Sequence, residues 1–371
     1  MTTRHPARQT TRLLFIAIAL SMLGGCASPT AHYFQANPVD PEKVVFVTSD
    51  PNAQRARELR MFTAHDGRPV SWDDVMHAAS WADVIVVGEQ HDDAIGHAVQ
   101  LALVEDVVSR WRPTALTMEM LERDDQPLID DYTEGVIDAE SFATLTQSKG
   151  WGGKTDSWAE WYQPIIDAAL GKTSKQGGMK VIGANAPRRY VRLARTNGYE
   201  RLKALPKERR ALIDLPQGEA PSQYWQRFQD VMNEASESDD AKAQAGHGGE
   251  MTQERLVNGF RSQRVWDATM GASIARAKKA GADKVVHLVG HFHCDFEGGT
   301  VHEVRQRLPK AKLLIISMQR AESTSLRDED RNRADVVIYT GAPEEPEAEQ
   351  SATQPELEKP IAPSSEAPPE A

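Results

Sequence analysis

The sequence of 371 residues is poor in cysteine, in basic charge and in long apolar runs. Two cysteines leave little room for the disulfide framework that holds many small secreted domains together. There are 43 Lys and Arg against 54 Asp and Glu, which gives a formal net charge of −11. Nucleic-acid binding requires a basic surface, so we expect no nucleic acid as partner. The hydrophobic fraction of 40% is ordinary for folded proteins, so we expect one or two globular domains.

The start of the chain has the pattern of a bacterial export signal. Three arginines precede the apolar run 13–23, which is too short to span a bilayer. The run ends in Leu23-Gly24-Gly25-Cys26, which resembles the lipobox, where the cysteine sulfur takes a diacylglycerol. We therefore predict a signal peptide over residues 1–25 and lipidation of Cys26, and Ala27 at the next position resembles the outer-membrane sorting signal. The predicted location is the outer membrane, facing the periplasm.

Two other segments look like connections and not like domains. Residues 26–43 are rich in Pro and Ala, as expected of a tether. Residues 343–371 contain eight Glu, one Lys and seven Pro, so we predict a disordered acidic tail over 342–371 that acts as a solvated spacer. With Cys26 lipidated, Cys294 has no disulfide partner, and it is either buried and inert or a ligand.

The central part, residues 44–341, alternates short β-branched runs with helix-length segments. The helix after the second run shows one apolar face at His97, Leu101, Val104 and Val108. This alternation predicts an α/β domain with a mostly parallel sheet flanked by helices. Residues 188–280 contain no convincing strand and are predicted to form a helical insertion, with a mobile loop at 239–250 between two long polar helices. The predicted strands are 44–48, 84–87, 115–118, 180–182, 284–289, 313–317 and 336–339.

Unusual polar residues follow four of the predicted strands. Ligands of parallel sheets bind beyond the carboxyl ends of the strands, so these residues should share one crevice. Two of the strands end in a G-x-x-H element, whose glycine allows a sharp turn and whose histidine offers a ligand or a hydrogen-bond donor. Taken alone, Glu119 is equally consistent with a helix N-cap or dipole partner. The four strand ends are Gly88-Glu89-Gln90-His91-Asp92, Glu119, Gly183-Ala184-Asn185 and Gly290-His291-Phe292-His293-Cys294-Asp295.

Several of these elements together resemble the ChaN family of haem-binding lipoproteins, over roughly residues 70–320. ChaN belongs with the Tiki, TraB and erythromycin-esterase-like proteins, which share paired G-x-x-H elements and an acidic residue on another strand. The elements that carry the resemblance are the run 84–93, Met118-Glu119-Met120, Gly183-Ala184-Asn185-Ala186-Pro187-Arg188, Gln263-Arg264-Val265-Trp266-Asp267 and Gly290-His291-Phe292-His293.

The resemblance implies an outer-membrane lipoprotein that binds haem and takes part in haem or iron uptake, and it favours a non-enzymatic protein without deciding whether the chain is an enzyme. Haem would lie in the strand-end crevice, between two protomers of a homodimer, and an outer-membrane haem receptor would be a further partner. Haem requires an apolar slot, an axial ligand and donors for its propionates. Tyr162 is the candidate axial ligand, with Tyr132 and Tyr190 as substitutes. The other candidate haem-contacting residues are Glu89, His91, Arg188 and His293.

Two alternatives remain open at this stage. The set His91, Glu119, His291 and His293, together with Glu89, resembles a divalent-metal site of a Tiki-like hydrolase, where the ion activates water. A purely structural role for the histidines is the other. In addition, Trp158, Trp161 and Tyr162 have the i, i+3, i+4 spacing of core packing on a helix.

Overall fold

The computed structural model describes residues 50–172, 178–237 and 252–341. Outside these ranges lie the predicted signal peptide, the lipidation site Cys26, the tether, the strand 44–48, the loop 239–250 and the tail 342–371. Within them, no helix combines the length and the apolar character needed to cross a membrane.

The described residues contain one eight-stranded sheet, in the order β2-β1-β8-β7-β3-β6-β4-β5. The six strands from β8 to β5 pair in parallel, whereas β1 pairs antiparallel with both β2 and β8. The strands are β1 Arg60–Thr63, β2 Pro69–Val70, β3 Val84–Glu89, β4 Thr114–Glu122, β5 Lys180–Asn185, β6 Lys284–Gly290, β7 Leu313–Gln319 and β8 Val336–Tyr339.

The predicted α/β class and mostly parallel sheet are confirmed. All six predicted strands within the described residues are present. The strands β3, β6 and β7 are buried on both faces, which explains their continuous apolar sequences, whereas β5 at the sheet edge begins with the exposed Lys180. In β3, for example, Ile85 and Val87 enter one core while Val84 and Val86 enter the other. The antiparallel strands β1 and β2 were not predicted, because they are short and lack a β-branched run.

Helices cover both faces of the sheet. The helices α1, α2, α3 and α6 contribute to the core on one face, and α10 and α11 to the core on the other. In α3 the predicted face is confirmed, since His97, Leu101, Val104 and Val108 are all buried. The helices are α1 Pro51–Ala56, α2 Trp72–Trp81, α3 Ala94–Arg110, α4 Gln126–Thr133, α5 Ala139–Leu145, α6 Gln163–Ala169, α7 Arg188–Lys203, α8 Lys207–Arg210, α9 Ser222–Glu237, α10 Gln253–Lys279 and α11 Gly299–Arg307.

The segment predicted as a helical insertion forms α7 to α10, with no strand among its described residues. Its last helix, α10, packs on the sheet. Met270, Ile274 and Ala277 of α10 share a core with Val285 and Val289 of β6. The segment is therefore the crossover from β5 to β6, and α7 to α9 enlarge this crossover beside the strand ends.

Candidate functional site

A crevice of about 480 Å³ lies at the carboxyl ends of the parallel strands. Glu89 from β3, Glu119 from β4, Asn185 from β5 and Gly290 from β6 all line it. The volume is within the usual range of about 300 to 1,000 Å³ for ligand pockets. The two histidines of the G-x-x-H elements, although far apart in sequence, both face this crevice, as the strand-end argument predicts.

The first glycine of each G-x-x-H element permits a close approach at the rim. A Cβ on Gly88 would lie 2.5 Å from Cys294 Sγ and 3.0 Å from the Cα of His291. A Cβ on Gly290 would lie 3.1 Å from the His91 ring. Each glycine therefore makes room for the segment that carries the other element's histidines, which is why the two elements can share one site.

His91 is held by a buried carboxylate. Its Nδ1 lies 2.7 Å from Glu89 Oε1, and its ring packs edge-on against Trp151 at 5.2 Å between centroids. Burial raises the pKa of Glu89, but the nearby His97, His91 and Tyr162 outweigh it, so the pKa lies below its usual value. Burial lowers the pKa of His91, yet Glu89 and Glu119 raise it above the ordinary value. This pair is a buried acid–base couple.

Tyr162, the sequence-based candidate for the axial ligand, lies behind Glu89 and not on the crevice wall. It belongs to the π-helical turn Trp158–Tyr162, its side chain is 0% exposed, and its hydroxyl donates to Glu89 Oε1 at 2.5 Å. Burial, Glu89 and Glu119 raise the pKa of the phenol well above its usual value, so it stays protonated. The structure gives Tyr162 the role of a hydrogen-bond donor that fixes Glu89.

The other aromatic candidates also lie away from the crevice. The hydroxyl of Tyr132 donates to Asp167 at 2.5 Å, and Tyr190 belongs to a separate core. Trp158 and Trp161 are buried in the main core, as the core-packing alternative predicted. Among the described residues that line the crevice there is no tyrosine.

His293 lies between two carboxylates on the other side of the rim. Its Nδ1 is 2.7 Å from Asp267 Oδ1, and its Nε2 is 3.5 Å from Glu119 Oε1. Burial lowers the pKa of His293, but Glu119 and Asp267 raise it to about 10. Burial likewise raises the pKa of Glu119, and His293 and His91 bring it to about 2. At neutral pH His293 is an imidazolium, and Glu119 accepts from the Gly290 amide at 2.6 Å, which is not the N-cap contact considered above.

His291 is the most open of the three rim histidines. Its side chain is 31% exposed, compared with 18% for His91 and 9% for His293. Its Nδ1 lies 3.0 Å from Asp295, and Asp295 is held in turn by Arg333 at 2.7 Å. The neighbouring Cys294 is fully buried and its thiol pKa is raised well above the usual value by burial and by Asp295, so it is an inert packing residue.

The crevice is lined by both apolar and cationic side chains. Three arginines of α7 line it at i, i+4 and i+7, and Arg188 also lies over the Trp151 ring at 5.5 Å. The apolar side chains come mainly from α9, α10 and the rim. They are Trp151, Phe228, Met232, Trp266 and Phe292, and the cationic ones are Arg188, Arg192 and Arg195.

The predicted divalent-metal site is not found among the described residues. Over the described ranges, no three His, Cys, Asp or Glu side chains are grouped so that they could hold a metal ion. Each rim histidine instead has its own carboxylate partner at Nδ1: His91 has Glu89, His291 has Asp295, and His293 has Asp267. Glu119 lies 3.5 Å from His293 Nε2. The hydrolase alternative requires such a site, and the described residues do not provide one.

Some site residues had no assigned role from the sequence. In the sequence, Asp267 and Gln263 were noted only as members of the run 263–267 that carries the family resemblance. In the structure both contact His293. Arg192 and Arg195 were not singled out, although their spacing from Arg188 places them on one helix face. That spacing is a usable signal only when the direction of the crevice is known.

Comparison with known proteins places the chain in a family. The family described as "Haem-binding uptake, Tiki superfamily, ChaN" matches residues 75–304, more than half of the sequence. The chain belongs to this family. It therefore carries a ChaN-type haem-binding domain, and the matched range covers all four strand ends that build the crevice.

One solved structure supports the fold, and others align less well. A structure of ChaN from Campylobacter jejuni, described with cofacially bound haem, aligns with a TM-score of 0.53 at 19% identity over 76% of this chain and 96% of that chain. A mutant erythromycin esterase, EreC, in its open conformation aligns at 12% identity over 70% of this chain and 76% of its own, with a TM-score of 0.37. The type III effector HopBA1 aligns at 14% identity over 72% and 91% with the same score. No curated protein matches the chain.

Proposed function

We propose that this protein is an outer-membrane lipoprotein that binds haem in the strand-end crevice and takes part in haem or iron uptake. The observation that carries the proposal is the composition of the crevice in a ChaN-family chain. An apolar wall, exposed imidazole and a row of arginines are combined in one open cavity. Haem, with its apolar ring, its iron and its two carboxylates, needs these three features.

His291 is our candidate for the iron ligand, in place of Tyr162. Histidines that bind metals usually donate their second ring N–H to a carboxylate, which orients the ring and raises its basicity. The Nδ1 contact with Asp295, backed by Arg333, supplies this support and leaves Nε2 for iron. His91 has the same arrangement with Glu89, but it is less exposed. Bound haem would supply an iron centre for the uptake of iron by the cell.

The cellular setting rests on the sequence. The export signal and lipobox ending at Cys26 support a lipid anchor, and several acyl chains make such anchoring stable. The cofacial haem described for the Campylobacter jejuni protein supports a homodimer in which two crevices face each other. An outer-membrane haem receptor is the partner that this location suggests.

The ligand assignment can be tested by titrating the full chain, in detergent, with ferric haem while following the Soret band. We expect His291→Ala to shift the band and weaken binding, and added imidazole to restore the wild-type spectrum. His302→Ala changes a histidine of α11 that does not line the crevice, so it serves as the matched control. Wild-type spectra for His291→Ala, with altered spectra for His91→Ala, would transfer the role to His91.

A further inference from the structure

The helix α7 presents a cationic edge to the crevice. The helix begins directly after the Asn185-Ala186-Pro187 turn that ends β5, and Arg188 is its first residue. Arg192 and Arg195 follow on the same face, and all three line the cavity. With a rise of about 1.5 Å per residue, the row from Arg188 to Arg195 is roughly 10 Å long. A single porphyrin-sized ligand is long enough to contact both ends of it.

The two ends of this row differ in how their charge is balanced. At the first end, Arg188 Nε lies 3.8 Å from Glu122 Oε1, and the guanidinium stacks over Trp151. At the other end, Arg195 is half-buried, and the charge next to it is another cation, Arg255. Both burial and Arg255 lower the pKa of Arg195, and no carboxylate of the described residues offsets them.

An arginine in such a position is unfavourable without an anion. Burial removes water from the guanidinium, and a like charge nearby repels it. A ligand carboxylate that binds beside the guanidinium therefore stabilises the folded chain. Phe228 and Met232 from α9 line the same cavity and add apolar surface to it. Arg261 and Ser262 of α10 hold the α7 backbone through contacts to Ala194 and Val191.

We propose that Arg195, with Arg192, forms a carboxylate-binding edge that selects dicarboxylate tetrapyrroles and directs their acid groups toward α7. The inference rests on the proposed haem function. It goes further by stating how the ligand is oriented in the crevice. The carboxylates lie along α7 and the ring lies against the apolar wall. Neutral or esterified tetrapyrroles lack the groups that this edge recognises.

The test compares two ligands and matched variants of the full chain in detergent. Ferric haem and its dimethyl ester share the same ring and iron, but only haem has free carboxylates. We expect the wild type to bind haem more tightly than the ester, on the order of tenfold for one charge-assisted contact. Arg195→Gln should remove most of this preference, because it should weaken the binding of haem about tenfold and leave the affinity for the ester within about twofold of the wild type.

Two further variants sharpen the result. Arg201→Gln removes a charge from the same helix but outside the crevice, so it should leave both affinities unchanged. Arg195→Lys keeps the charge and loses the two-pronged geometry, so it should bind haem with intermediate affinity. The carboxylate edge would be overturned if the wild type bound haem and the ester with equal affinity. It would also be overturned if Arg195→Gln lost affinity for both ligands to the same extent.

The failure of the haem function gives a different result. If iron is not ligated, the wild type shows no ligated Soret band, but iron-free protoporphyrin should still bind in an Arg195-dependent way by fluorescence. If haem binds with a normal spectrum and Arg195→Gln has no effect, the haem function stands and the carboxylate edge is wrong. Absence of Arg195-dependent binding by every free-acid porphyrin also overturns the edge.

Discussion

The hydroxyl of Tyr162 offers a prediction that separates the structure from the sequence-based assignment. Tyr162→Phe removes one donor from the buried Glu89 carboxylate and keeps the ring in its packed position. Hydrogen bonds to charged groups contribute about 1.5 to 3 kcal/mol to stability. For a domain of this size that corresponds to a fall in Tm of roughly 3 to 12 °C. Haem binding, in contrast, should keep its wild-type spectrum, because the phenol does not line the crevice.

The control is Tyr199→Phe, since Tyr199 is partly buried and donates to a neutral backbone carbonyl, that of Arg261, at 3.2 Å. The loss of stability in Tyr199→Phe should be smaller, about 0.5 to 1.5 kcal/mol. The assay is thermal unfolding of the apo protein, followed by the visible spectrum with ferric haem. A Tyr162→Phe variant with unchanged Tm and lost haem bands would refute this reasoning and return the axial-ligand role to Tyr162.

Three other expectations follow from the rim, the sheet and the chain start. Gly88→Ala should destabilise the protein by about 1 to 3 kcal/mol, because the new Cβ meets Cys294 Sγ, and a second change, Cys294→Ala, should recover part of the loss in denaturant unfolding. Burial lowers the pKa of His287 to about 4, so the folded state favours the neutral imidazole. The wild type should therefore lose stability relative to His287→Leu as the pH falls from about 6.5 to about 4. Parallel curves of unfolding free energy against pH for the two proteins would contradict this. Cys26→Ser should release the protein from the membrane fraction, and unchanged fractionation without lipid labelling would exclude the anchor.

Much of the fold follows from local sequence. The central parallel strands are buried on both faces, so their sequences are mainly apolar runs that can be recognised without any partner, as in β3 and β6. The meeting of His91 and His293 at one rim follows from topology, because the carboxyl ends of parallel strands meet at one edge. The strands β1 and β2 depend on pairing with β8 at the sheet edge, which no local pattern encodes.

The finer features of the site depend on contacts between distant segments. Tyr162 faces Glu89 because a π-helical turn changes the direction of its side chain, and the sequence spacing alone does not show this turn. Asp267 becomes the partner of His293 only through the packing of α10 on the rim. The predicted metal ligands have the right residue types, but their pairing with separate carboxylates is a matter of side-chain geometry, which spacing does not determine.

The measurement that tests the account most directly is the cofactor content of the full chain purified from cells supplied with haem. Haem is quantified by its pyridine haemochrome, and zinc, manganese and iron by elemental analysis of the same sample. We predict haem in near-stoichiometric amount, iron equal to haem, and no stoichiometric zinc or manganese. A protein that carries one zinc or manganese per chain, and shows no Soret band after haem is added, would contradict the account and favour a metal-dependent hydrolase.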